Sequence, residues 1–167
     1  MTTTITTFLT YDTQAEEAAK LYTSLFDGKI KEIMRHPPGG PGPESSVLTV
    51  TFELLGQTYV ALNGGPSFAF SQGFSLMVQV DTQAEIDRLW TALTANGGKE
   101  VQCGWLVDKF GVSWQIVPKP LLGMLSNKDK AKSGRAMQAM MGMRKLDLAK
   151  LQAAFNGVGW TTKENVR

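Results

Sequence analysis

The pentapeptide DTQAE occurs twice in this chain, at Asp12–Glu16 and again at Asp81–Glu85. Its surroundings repeat with it. A strand-like stretch precedes each copy, ITTFLTY at 5–11 and FSLMVQV at 74–80. A helical pattern follows each copy. Ala18, Leu21, Tyr22, Leu25 and Phe26 share one face of the first helix, and Ile86, Leu89, Trp90 and Leu93 share one face of the second. Both helices open with T-x-x-E, Thr13 to Glu16 and Thr82 to Glu85, the pattern of a capping box in which hydroxyl and carboxylate satisfy free amides of the first turn. Both close near a glycine, Gly28 and Gly97. Strand, cap, helix and stop recurring in one order indicate a duplicated supersecondary unit.

Three strands follow each helix. In the first copy they are KIKEIMRH (29–36), VLTVTFEL (47–54) and TYVALN (58–63); in the second, KEVQ (99–102), GWLVDKF (104–110) and VSWQIVPK (112–119). The expected architecture is α+β: two βαβββ modules, 5–64 and 68–118, forming a domain over 5–118 of curved mixed sheets. A helical C-terminal extension follows over 119–167. PPGGPGPESS (37–46) reads as a surface loop and GGPSFAFSQG (64–73) as the link between modules. Phe68 and Phe70 alternate in that link as a short strand would.

Charge is distributed unevenly. Residues 1–118 hold 7 Lys/Arg and 12 Asp/Glu, whereas 119–167 hold 10 and 3. The tail's basic residues are interleaved with apolar ones at helical spacing, which fits packing on an acidic surface and not nucleic acid binding. Met137, Met140 and Met141 share a helical face there, suited to docking on the chain's own body or on a partner subunit. No apolar run is long enough to span a membrane. The N-terminus lacks the pattern of a secretory leader, and the single cysteine, Cys103, forms no intrachain disulfide. Both point to a cytoplasmic protein.

The chain resembles the PhnB-like family, which often carries the label 3-demethylubiquinone-9 3-methyltransferase, within the vicinal oxygen chelate (glyoxalase and bleomycin-resistance) superfamily. The resemblance rests on FLTYDTQAEEAAKLYTSLF, YVALNGGP, EIDRLWTAL, CGWLVDKFGVSWQIVPK and RAMQAMMGMRKLDLAKLQAAF. It implies paired curved sheets, each enclosing a cleft, and a homodimer. It also implies where a metal would sit in metal-binding relatives: at Thr7, Ala61, Ser75 and Gln115, the last fixed by its distance from Gly111. None of the four is His, Asp, Glu or Cys, so no metal is expected there. The chain's one histidine, His36, cannot supply a two-histidine, one-carboxylate iron site.

These residues favour binding over catalysis. A metal-free site for an unidentified small organic ligand is expected, in the manner of the bleomycin-resistance branch. Its expected hydrogen-bonding groups are Thr7, Asn63, Ser75 and Gln115, with Phe70 and Trp105 as aromatic walls. Alternation along VSWQIV places Gln115 on the face opposite Trp114, which then packs in the core. The catalytic residues of any reaction are unknown: Cys103 lacks a base to activate it, and Asp108 and Lys109 read as turn residues. His36 is expected to be solvated. Methyl transfer is not favoured, because PPGGPG and NGGP are proline-broken and do not join a strand to a helix; no cofactor is expected. The alternatives are an enzyme of unknown reaction and an interaction module whose cleft is filled by its own side chains.

Overall fold

The computed structural model describes residues 3–159, so the last eight residues of the expected extension lie outside the described residues. The chain divides into two compact units, 1–70 and 71–167. The first runs β1 (Thr7–Tyr11), α1 (Ala15–Leu25), β2 (Lys29–Arg35), β3 (Val47–Leu54) and β4 (Gln57–Asn63). The second repeats it as β5 (Leu76–Val80), α2 (Gln83–Thr94), β6 (Lys99–Glu100), β7 (Trp105–Val107) and β8 (Ser113–Pro118). The sheets have the same order, β1-β4-β3-β2 and β5-β8-β7-β6. In each, the strand before the helix pairs parallel with the last strand, and the remaining pairs are antiparallel. Two mixed four-stranded sheets with helices make this an α+β fold. Among the described residues no helix is long and apolar enough to cross a membrane.

Pleating decides each core. In the first unit the registers Leu9↔Ala61, Ala61↔Val50 and Tyr59↔Phe52 align one face across β1, β4 and β3. Those residues are buried with Ala15, Ala18, Ala19 and Tyr22 of α1. Phe52 stacks on Tyr59 with ring centres 5.5 Å apart. Phe70 is not in a strand; it meets Tyr11 edge-on at 5.2 Å and closes the first unit.

The two helix starts differ despite the shared pentapeptide. At α2 the expected capping box forms: Thr82 Oγ1 accepts from the Glu85 N–H, and the Glu85 carboxylate accepts from the Thr82 N–H. At α1 it does not. That helix begins at Ala15, one residue later relative to its threonine, so Gln14 is the cap residue and makes no capping bond. Asn63 substitutes from the end of β4: its Oδ1 accepts the Ala15 N–H at 2.8 Å.

The tail forms α3 (Pro120–Leu125), α4 (Lys130–Met141) and α5 (Leu148–Asn156). It docks on its own unit. Leu121, Met124, Ala136, Leu146 and Leu151 bury together with Val117 from β8. The Gln83 side chain joins α2 to the tail, donating to the Leu146 carbonyl and accepting from the Leu148 N–H. The Cys103 and Gly104 N–H groups donate to the Met143 and Arg144 carbonyls, both at 2.8 Å. Lys145 pairs with Asp87 at 2.6 Å, and Arg144 approaches Glu100 at 3.9 Å. The basic tail thus meets acidic groups of the same chain. Leu122, Met137, Met141 and Val158 remain exposed.

Leu146 is wholly buried at this junction. Leu146→Ala is expected to lower unfolding stability by about 2–5 kcal/mol, through lost burial and a cavity. Urea unfolding of the full chain checks this; a loss below about 1 kcal/mol would mean the tail is not part of the core.

Candidate functional site

The turn between β7 and β8 positions the most polar part of the second sheet. Asp108 is 3% exposed, yet its carboxylate is well served. Its Oδ1 accepts from the N–H groups of Phe110 and Val112 at 2.9 and 3.0 Å, and its Oδ2 accepts from the Trp114 indole at 2.9 Å. Gly111 takes the left-handed conformation that the turn requires, with φ of 91°. Asp108 is therefore a structural acceptor in the turn.

This turn fixes the alternation along β8. Trp114 and Ile116 face inward with Leu106 of β7, all three buried. Gln115 faces the other way. The registers Met77↔Gln115 and Trp105↔Gln115 set Met77, Gln115 and Trp105 in one row across β5, β8 and β7. Gln115 Nε2 donates to Ser75 Oγ at 2.8 Å, just before β5 begins. On this face, where Ser113 and Val117 at either side of Gln115 are buried, a hydroxyl–amide pair thus stands between a half-buried tryptophan and an exposed methionine.

Ser75, Gln115 and Trp105, all named from sequence, come together here. The other three expected ligand residues are in the first unit. Thr7 lies in register with Tyr59, on the face that also carries Leu9, Tyr11 and the fully buried Ala61. Thr7 and Ala61 therefore point toward the α1 side and not to the open face. Phe8 and Thr10, paired with Val60 and Leu62, occupy the open face instead. The large Leu9 and Tyr11 side chains fill the core side, and period two then sends Thr7 with them. Asn63 has both ends of its amide in use, accepting from Ala15 and donating to the Val47 carbonyl at 2.9 Å. Phe70 packs against Tyr11.

His36 also departs from expectation. It is half-buried, with Nδ1 enclosed and without a hydrogen-bond partner. Thr7, Ala61, Ser75 and Gln115, the positions taken for metal ligands from the resemblance, offer two hydroxyls, a methyl and an amide, a set that does not fit a divalent ion. Among the described residues no group of three or more His, Cys, Asp or Glu is gathered for one.

Residues 3–117 match the family described as 3-demethylubiquinone-9 3-methyltransferase. The chain belongs to this family. A PhnB protein from Bacillus cereus with a provisional 3-demethylubiquinone-9 3-methyltransferase name is 38% identical, with 70% of this chain and 99% of that chain covered and a TM-score of 0.64. A Pseudomonas aeruginosa protein is 22% identical over 70% of this chain and 98% of its own, with a TM-score of 0.56. A glyoxalase/bleomycin resistance protein from Albidiferax ferrireducens is 16% identical over 68% and 96%, with a TM-score of 0.46. No curated protein matches the sequence. The family match ends just before α3, so the docked tail lies beyond it.

Proposed function

We propose that this protein binds a small organic ligand, without a metal ion, on the Gln115 face of its second module. The Ser75–Gln115 pair beside Trp105 carries the reading. Each polar group already satisfies the other, so neither is strained for want of a ligand, and the pair retains acceptor and donor capacity to orient one. The flanking tryptophan and methionine offer apolar contact, a combination suited to an organic molecule. The reaction in the family's label has weaker support. The strand-to-helix connections, 12–14 and 81–82, contain no glycine, whereas a nucleotide-type cofactor site needs close backbone approach at such a turn.

A panel of metabolites and aromatic antibiotics, with zinc, nickel and iron(II) as separate arms, tests this by thermal shift. A ligand at 100 times its dissociation constant should stabilise the protein by about 2.7 kcal/mol. Gln115→Leu is expected to remove most of that gain. An organic hit unaffected by Gln115→Leu would place the site elsewhere. A metal shift lost in that variant would overturn the metal-free reading. No organic hit at all would favour an interaction module.

A homodimer is part of the same proposal. Phe8 on the open face of the first sheet is 57% exposed, and an apolar side chain of that size on a sheet face is a candidate for burial by a second copy. Sedimentation equilibrium should give twice the chain mass for the wild type and a lower average for Phe8→Glu. A wild-type monomer at micromolar concentration would contradict it.

A further inference from the structure

The first unit contains a cavity of about 750 Å³ that the proposed ligand face does not use. Val47 and Leu48 at the start of β3, Leu62 at the end of β4, Pro43 of the loop and the Phe68 ring line it with apolar surface. Asp12 and Glu16, at the entry to α1, supply its charge, and neither lysine nor arginine lines it.

Its walls are built, not accidental. The loop over 37–46 is closed at its base, where the His36 N–H donates to the Ser46 carbonyl and the Ser45 N–H to the His36 carbonyl. Within it, Ser46 Oγ donates to the Pro43 carbonyl at 2.6 Å. The loop also closes on the imidazole: a Cβ at Gly42 would fall 2.5 Å from His36 Nε2. Phe68 is seated similarly, because a Cβ at Gly64 would lie 3.0 Å from its ring. Both glycines allow an aromatic ring to rest against backbone at the cavity wall.

The charge selects the ligand class. Lys20 holds Glu16 at 2.7 Å and pulls its pKa below the usual carboxylate value, so it is ionised near neutral pH. The Asp12 carboxylate has no partner among the described residues. Glu16 is already compensated by Lys20, with Arg35 also near, so Asp12 carries the uncompensated charge, and a bound anion would meet it with no lysine or arginine in the lining to offset it. We infer that this cavity takes a small organic cation, an amine on an apolar or aromatic body, with the ammonium at Asp12 and the body against Leu62 and Phe68. A ring face near the ammonium adds to the attraction. The volume falls within the range of roughly 300–1,000 Å³ common for small-molecule sites.

Three probes of one shape and different charge test this on the full chain by calorimetry and NMR: phenethylamine, phenethyl alcohol and 3-phenylpropionate. The amine is expected to bind saturably and to perturb Leu62 and Phe68, and the other two to bind more weakly. Asp12→Asn should weaken the amine about threefold, the scale of one exposed ion pair. It should leave the alcohol unchanged and the fold intact, since the Asp12 carboxylate makes no internal bond. Phe68→Ala should weaken amine and alcohol alike. Equal affinity for all three probes, amine binding unchanged in both variants, or no amine binding at millimolar concentration would each overturn the proposal.

Discussion

Asp108 is a carboxylate taken out of water whose donors include two turn amides and an indole. Charge-assisted hydrogen bonds contribute roughly 1.5–3 kcal/mol each, while desolvating one carboxylate costs several kcal/mol. The importance of the group lies in what it specifies. It ties residue 108 to residues 110 and 112 and draws Trp114 inward, which leaves Gln115 no choice but the other face. In a sheet with period two, that settles the side on which every β8 residue lies. Through the registers Met77↔Gln115 and Trp105↔Gln115, the same turn determines which residues of β5 and β7 share the polar face.

Much of this was legible in the sequence because it is local. The repeated pentapeptide with its flanking patterns announced two modules, and both sheets have one topology. The glycine of DKFGVSWQ fixed the position of Gln115, and alternation separated it from Trp114. Thr7 and Ala61 were located by motif counting without such a marker, and an error of one residue reverses the face. The first helix cap shows another limit. Its acceptor, Asn63, is 48 residues from the amide it serves, so no local pattern reveals it. The tail's apolar stripe was visible, but a stripe does not name its partner; Val117 and Gln83 supply it from the same chain. The first-unit cavity was hidden for the same reason. PPGGPGPESS reads as loose surface loop, whereas His36 and Gly42 pack it into a wall.

The two modules thus share a fold and differ in chemistry. In the second, a short turn and a buried acid expose a neutral hydroxyl–amide pair. In the first, a long loop and two carboxylates border an apolar cavity open on one side. Duplication supplies the scaffold twice, and loop length and a few polar side chains give each copy its own character. Cys103 belongs to neither of these sites. It has a positive φ of 61° and its N–H is bonded to the tail, which marks it as part of the docking turn.

The account rests most directly on the role given to Asp108, and stability together with hydrogen exchange of the two turn amides and the indole measures that role. In the wild type, the Phe110 and Val112 amides and the Trp114 indole proton should exchange slowly, at rates limited by unfolding of the second unit. In Asp108→Ala three donors, two of them buried, lose their acceptor, so the unfolding free energy should fall by about 3–5 kcal/mol, and the indole proton should exchange far faster than neighbouring β8 amides. A loss below about 1 kcal/mol with the indole still protected would contradict the claim that this carboxylate holds the turn and sets the face of Gln115.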